Sequence, residues 1–136
     1  MIGRVIGSLV FMVVLSACQK AINTAADSTL TSLAGTEWGP VENEIDQFIA
    51  FKSDGEIVGS GGCNNFFGNY TQTGRRITVG PLASTRKACP EPIMTAEQDF
   101  LRLLDRVRAA DATLKELTLY GADDQVLATL RRRDWD

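Results

Sequence analysis

The residues that decide the fold are Gly59-Ser60-Gly61-Gly62-Cys63-Asn64-Asn65-Phe66-Phe67-Gly68-Asn69-Tyr70 and, downstream, Pro81-Leu82-Ala83-Ser84-Thr85-Arg86-Lys87-Ala88-Cys89-Pro90. Glycine at this density lets strands bend and lets backbones approach where a larger side chain would clash. Short runs of alternating apolar and polar residues stand on both sides. The stretch is therefore predicted to be the bent centre of a small antiparallel sheet.

The clearest local signal is a hairpin centred on Asp54-Gly55, a pair that accepts positive φ in a tight turn. Gln47–Lys52 and Glu56–Gly61 alternate on either side of it, which is typical of two paired strands. Similar patterns predict the remaining strands, at Thr36–Val41, Phe66–Thr71, Arg75–Val79, Leu82–Arg86 and a last hairpin about Gly121–Asp124.

A single helix follows the sheet-forming half, because apolar residues recur at steps of three and four from Ile93 to Val107. Pro92 suits a first helical turn, although Thr95 with Gln98 could start the helix later as a capping box. Glu97 falls on the polar side of this pattern. The fold class is therefore mainly β: seven or eight short antiparallel strands form a small, partly open barrel, with the helix covering one end or side.

Residues 1–17 have the basic start, apolar run and small-residue ending of a secretory signal. Leu15-Ser16-Ala17-Cys18 resembles a bacterial lipobox, in which Cys18 receives the lipid and begins the mature chain. The alternative is an ordinary signal peptide that is cleaved nearby, in which Cys18 is not lipidated. Gln19 is a residue type that points to the outer membrane in Gram-negative lipoproteins. We expect a flexible tether over 18–35 and an envelope protein bound to the membrane through Cys18.

The folded domain is predicted over residues 36–131, followed by a solvated charged tail at 132–136. Removing residues 1–17 takes away one arginine and no acid, so the net charge falls from −3 to −4. A domain with a net negative charge is not expected to bind nucleic acid.

Two cysteines remain once Cys18 is assigned to lipid. In an exported protein, cysteines that are even in number usually form disulfides, which favours a Cys63–Cys89 disulfide. Two buried thiols and a metal site are the alternatives, and the absence of histidine and of a Cys-x-x-Cys motif disfavours a metal.

No motif in the sequence points strongly to a catalytic site. Without histidine, Ser-His-Asp and Cys-His designs are excluded. Ser84-x-x-Lys87 has the spacing of a serine–lysine pair, but in a strand the two side chains point to opposite faces. Gly59-x-Gly61 lacks the third glycine of a dinucleotide site. Glu97 and Asp99 could act as acid and base, but on a helix a solvated edge is the more common role.

Three polar residues of the central stretches are candidates for a specific role. Asn64 and Asn65 are expected to satisfy backbone groups at a bend or to tolerate positive φ. Arg86 either pairs with a helix carboxylate such as Glu97 or anchors an anionic ligand, and the structural pair is favoured because charged groups near a core are usually matched.

These motifs resemble the META-domain, HslJ-like envelope proteins. The resemblance runs from about Thr36 to Leu130 and includes Trp38, Asp54-Gly55, Phe100 and, within the cysteine-bearing motifs and the helix, Gly61, Gly62, Asn64, Arg86, Pro90 and Glu97. It implies a β-rich, lipocalin-like domain closed by a Cys63–Cys89 disulfide. It carries over no catalytic residues, cofactor or metal.

The resemblance further implies a non-enzymatic envelope lipoprotein that acts in stress or drug tolerance by binding a protein or ligand. A barrel of this size could instead carry a small ligand, unless side chains such as Trp38, Phe48, Phe66 and Leu103 fill it. A third possibility is a hydrolase inhibitor, which would expose a rigid loop or edge.

Overall fold

The computed structural model describes residues 29–42 and 44–134. Within these ranges the chain forms nine strands and one helix, together with a short 3-10 turn at Ala122–Asp124. The elements are β1 (Thr36–Gly39), β2 (Gln47–Phe51), β3 (Glu56–Gly61), β4 (Asn65–Thr73), β5 (Arg76–Val79), β6 (Ala83–Ser84), α1 (Glu91–Asp105), β7 (Ala109–Ala112), β8 (Glu116–Tyr120) and β9 (Val126–Arg132). The predicted signal segment, Cys18 and the first part of the tether lie outside the described residues.

Eight of these strands close into an antiparallel barrel in the order β3-β2-β1-β9-β8-β7-β5-β4, with β4 returning to β3. Strand β4 makes closure possible because it is long: Asn65 to Asn69 pair with β3, and Tyr70 to Thr73 pair with β5. Strand β6 is the ninth strand, and it pairs with Phe66 and Phe67 of β4. The mainly β, lipocalin-like barrel is confirmed, and it is closed rather than partly open.

The predicted hairpin is present, with Gly55 at φ 87° in the turn between β2 and β3. Ile49 and Phe51 point inward, where they are buried together with Ile57 of β3. Phe48 lies on the outer wall beneath the Arg133 guanidinium, 4.9 Å from the ring centre. It therefore does not fill the core, because alternation along β2 gives the inner face to its neighbours.

The barrel interior is filled with apolar side chains, among which the largest fully buried ones are Trp38, Phe51 and Phe66. The buried indole keeps a partner: Trp38 Nε1 donates to Thr36 Oγ1 at 2.7 Å, and that hydroxyl donates to the Leu33 carbonyl at 2.5 Å. Each such side chain contributes about 1.5–3 kcal/mol through burial.

The two ends of the barrel have different covers. At one end, Gly35 N–H donates to the Phe51 carbonyl, and Leu33 is only 1% exposed. Leu30 nearby bridges to Ala112 of β7. The predicted tether over 18–35 is therefore too long, since residues 30–33 already belong to the barrel.

Helix α1 covers the opposite end, where the Gln47 side chain at the start of β2 donates to the Ala96 carbonyl at 3.0 Å. The helix begins at Glu91, with Pro92 in its first turn, so the later start at Thr95 is wrong. No helix of the described part of the chain is long and apolar enough to cross a membrane.

The last strand extends one residue past the predicted domain boundary at residue 131. Arg132 closes β9 and lies over the Trp38 ring at 5.5 Å, while forming an ion pair with Asp134. Arg133 contacts Glu37 and Asp46. Arg132 therefore belongs to the barrel rather than to the predicted tail, because it pairs with Trp38 of β1, whereas Arg133 and Asp134 are exposed, as a solvated tail requires.

Candidate functional site

The cysteine-bearing motifs meet between the β3–β4 turn and the start of α1. Cys63 and Cys89 form a disulfide, with an S–S distance of 2.02 Å and their Cα atoms 6.0 Å apart. This confirms the predicted pair. The bond joins the turn to the segment that leads into the helix, and Pro90 occupies the position just before the helix begins.

Glu97 is the buried acceptor of this site. Its side chain is directed at the turn, where Oε2 accepts the Cys63 N–H at 3.1 Å and the Asn64 N–H at 2.5 Å. Oε1 accepts the Asn64 amide at 2.8 Å. The residue is 5% exposed, so its sequence-based placement on a solvated helix face is wrong. Hydrogen-bond donors compensate its burial.

Gly61 allows the carboxylate to approach the turn, and Gly62 allows the turn to pack against Ile45. A Cβ on Gly61 would lie 2.5 Å from Glu97 Cγ. Gly62 has φ +115°, and a Cβ there would lie 2.2 Å from Ile45 Cγ2. Both positions therefore exclude larger residues, which explains the glycine pair that the sequence motif contains.

Asn64 connects Glu97 to the exposed segment Ala83–Ala88, which we call the strap. Its Oδ1 accepts the Lys87 N–H at 2.6 Å and the Thr85 hydroxyl at 2.9 Å. Its Nδ2 donates to the Lys87 carbonyl at 3.2 Å as well as to Glu97. Asn64 therefore bonds to main-chain groups of the strap, and the positive φ in the turn belongs to Gly62 rather than to Asn64 or Asn65.

Arg86 is exposed on the strap and does not pair with Glu97. The favoured structural pair is therefore wrong. Amide donors already satisfy Glu97, which leaves the Arg86 guanidinium facing solvent. The second interpretation, an anchor for an acidic group, remains a hypothesis.

Gln47 is a site residue that the sequence analysis missed. Its Nε2 donates to the Gly61 carbonyl and to the Ala96 carbonyl, both at 3.0 Å. The alternation in the sequence could have identified it, because Gln47 shares the inward face of β2 with Ile49 and Phe51. A polar residue on such a face needs hydrogen-bond partners.

The chemistry of this site is limited. Both carboxylate oxygens of Glu97 are engaged by donors, and Asp99 is exposed and pairs with Arg102 at 3.1 Å. Among residues 29–42 and 44–134, no three His, Cys, Asp or Glu side chains come together as a metal site. The arrangement links the β3–β4 turn, helix α1 and the strap to one another.

A separate ionic cluster lies on the outer wall. Arg75 donates to Asp111 and Asp124, both at 2.9 Å, and stands over the Tyr120 ring. The hydrogen bonds from Arg75 hold the pKa of Asp111 below its ordinary value. All three groups are substantially exposed, so the cluster is a surface link between the β4–β5 turn, β7 and the β8–β9 turn.

The clefts that the described residues line are open to the surface. One of them has a volume of about 510 Å³ and lies between α1 and the segment before β6, with Leu82 and Leu101 in its wall and Arg102, Asp105 and Arg106 around it. The buried side chains occupy the barrel axis. This filling counts against a carrier that encloses its ligand.

The META domain family model matches residues 24–134. The chain belongs to the META domain family. The match begins before the predicted boundary at Thr36, in agreement with the packing of Leu30 and Leu33 in this META domain. The comparison with curated proteins found no match.

Solved structures share this META domain's fold. One is an NMR structure of a protein from Burkholderia xenovorans, with a TM-score of 0.62 and 20% identity, covering 75% of this chain and 84% of that one. Another is the crystal structure of a DUF4847 family protein from Bacteroides vulgatus, with a TM-score of 0.56 and 14% identity over 76% of this chain and 96% of that one. At such identities the likeness concerns the fold alone.

Proposed function

We propose that this META domain protein is a non-enzymatic envelope lipoprotein that acts through its outer surface. The observation that carries the proposal is the internal use of the motif side chains: Glu97, Asn64 and both cysteines are bonded within the fold. A catalytic group must be able to form bonds with a substrate, and these groups already use most of their bonding capacity within the fold. A filled barrel likewise leaves binding to the exterior.

The proposed location is the outer membrane, facing the periplasm, with the lipid on Cys18. The lipobox sequence and the disulfide support it together, because a closed structural disulfide is typical of an oxidising compartment. Two or more acyl chains would hold the protein durably on the membrane. The role that we propose there is tolerance of envelope stress or drugs.

Intact mass tests the anchor and the disulfide together. We expect the full-length protein, isolated from membranes, to begin at Cys18 with lipid added, and to gain the mass of two hydrogens on reduction. The Cys18→Ser variant should lack the lipid and leave the membrane fraction. A chain that begins elsewhere, or that lacks lipid at Cys18, contradicts the proposed anchor.

A gene deletion tests the role. Cells without the protein should become more sensitive to heat or drugs that stress the envelope, and the wild-type gene should restore tolerance. The Cys18→Ser gene should restore it poorly if anchoring matters. A hydrolase or transferase activity that disappears on mutation of one cleft residue would overturn the non-enzymatic proposal.

A further inference from the structure

The strap has the properties of a segment that binds in an enzyme cleft. From Ala83 to Ala88 every residue is exposed, and beyond the two residues of β6 the main chain belongs to no helix or strand. Thr85 N–H donates to the Asn65 carbonyl at 3.0 Å, and its hydroxyl donates to Asn64. Lys87 is held by Asn64 through both its N–H and its carbonyl. The disulfide at Cys89 then secures the end of the segment.

Arg86 lies between these two fixed residues. Its main-chain N–H and C=O bond to no other group in the described part of the chain, and no carboxylate there lies within ion-pair distance of its guanidinium. The Thr85 hydroxyl is turned to Asn64, whereas Arg86 is exposed to solvent.

The strap is also far from the start of the described chain. Leu33 lies at the end of the barrel where β2 finishes, whereas Asn64 and the strap lie at the helix-covered end. A chain anchored through residues before 29 would therefore present the strap away from the anchor.

We propose that the strap is an inhibitory segment for a trypsin-like serine protease, with Arg86 entering the acidic pocket that recognises arginine. Such a pocket carries an aspartate, which matches an arginine with no partner of its own. Rigidity matters because an ordered segment loses little entropy on binding, as in tight protease–inhibitor complexes. The inference deepens the proposed surface function and requires that the protease share the envelope compartment.

Inhibition of trypsin is the direct test. The full-length protein in detergent is mixed with trypsin and a small chromogenic arginine substrate. We expect competitive inhibition with the Arg86–Lys87 bond still intact by mass. Arg86→Ala should raise the inhibition constant about thirtyfold or more, as expected for a central anchor residue. The matched control is Arg131→Ala, an exposed arginine of β9 on the opposite wall of the ring, which should change nothing.

An exchange of specificity separates recognition from a structural role. Arg86→Leu should lose inhibition of trypsin and gain inhibition of chymotrypsin, whose pocket is apolar. Thr85→Val removes the hydroxyl that bonds to Asn64, so a loosened strap should be cut faster at Arg86–Lys87. Circular dichroism and the mass of the oxidised form verify that each variant is folded.

Three results would overturn this inference: no inhibition by the folded wild type, rapid cleavage of the wild type at Arg86–Lys87, or equal inhibition by Arg86→Ala. None of them affects the proposed lipoprotein, which stands or falls on the lipidated mass and the membrane location. The two failures are therefore distinguishable.

Discussion

At the scale of single residues, Glu97 shows how a buried charge is accommodated without a cation. Its carboxylate accepts two main-chain N–H groups and one amide, and these donors come from Cys63 and Asn64. A carboxylate held this way stabilises the turn more than a neutral acceptor would, because charge-assisted hydrogen bonds are stronger. Glu97 therefore positions the turn, the disulfide and the strap.

The variant Glu97→Gln tests this role. Its carboxamide has one acceptor, so an N–H₂ group must face either the turn or the Asn64 amide, and both offer donors. We expect the free energy of unfolding to fall by about 1.5–3 kcal/mol, measured by urea denaturation. Glu116→Gln, at an exposed position of β8, is the control and should change stability by less than about 0.5 kcal/mol. Equal effects of the two variants would contradict the role of Glu97.

At the scale of elements, the segment before β1 is part of the barrel rather than a linker. Leu33 is buried at one end, and its N–H donates to the Gln72 side chain at 2.9 Å. Leu30 forms a bridge to Ala112. The serines and threonines around these leucines obscured the apolar pattern, because two leucines three residues apart do not define a period.

Leu33→Ala should therefore destabilise the domain by about 2–5 kcal/mol, the usual cost of a cavity in a well-packed core. Leu114→Ala is the control, since Leu114 is 37% exposed in the turn before β8. Thermal and urea unfolding of both variants measure the difference. If Leu33→Ala unfolds like the wild type, the segment is a tether after all.

At the scale of the whole molecule, closure and cross-linking act together. The barrel closes through the β3–β4 pairing, and the disulfide then joins that hairpin to the start of α1 across a separation of 26 residues. The helix is thus fixed over the barrel end by a covalent bond, by Glu97 and by Gln47.

Reduction should lower the free energy of unfolding by about 3–4 kcal/mol, because it releases a loop of this length in the unfolded chain. Urea denaturation with and without reductant measures the effect on the wild type. The double variant Cys63→Ser/Cys89→Ser should be insensitive to reductant and as stable as the reduced wild type. A wild type that is indifferent to reductant would contradict the contribution of the bond.

The elements whose causes are local could be predicted from the amino-acid sequence. Alternation set β2 and β3, Asp54-Gly55 set their turn, and the three-and-four spacing from Ile93 set the helix. It also pointed to the family and to the disulfide. The strand, turn and helix signals depend on neighbours two to four residues apart, so they are readable along the chain.

Other features became visible only in the folded chain: the burial of Glu97, the closure of the barrel, the exposure of Arg86 and the inclusion of Leu33 and Arg132. Strand β7 was missed as well, since Ala109–Ala112 is short and lacks β-branched residues. The physical reason is that each of these features depends on partners far along the chain: Asn64 and Glu97 are 33 residues apart, and Leu33 and Gln72 are 39 apart. No local pattern records which distant donor will satisfy a buried carboxylate, or which strand will complete a ring.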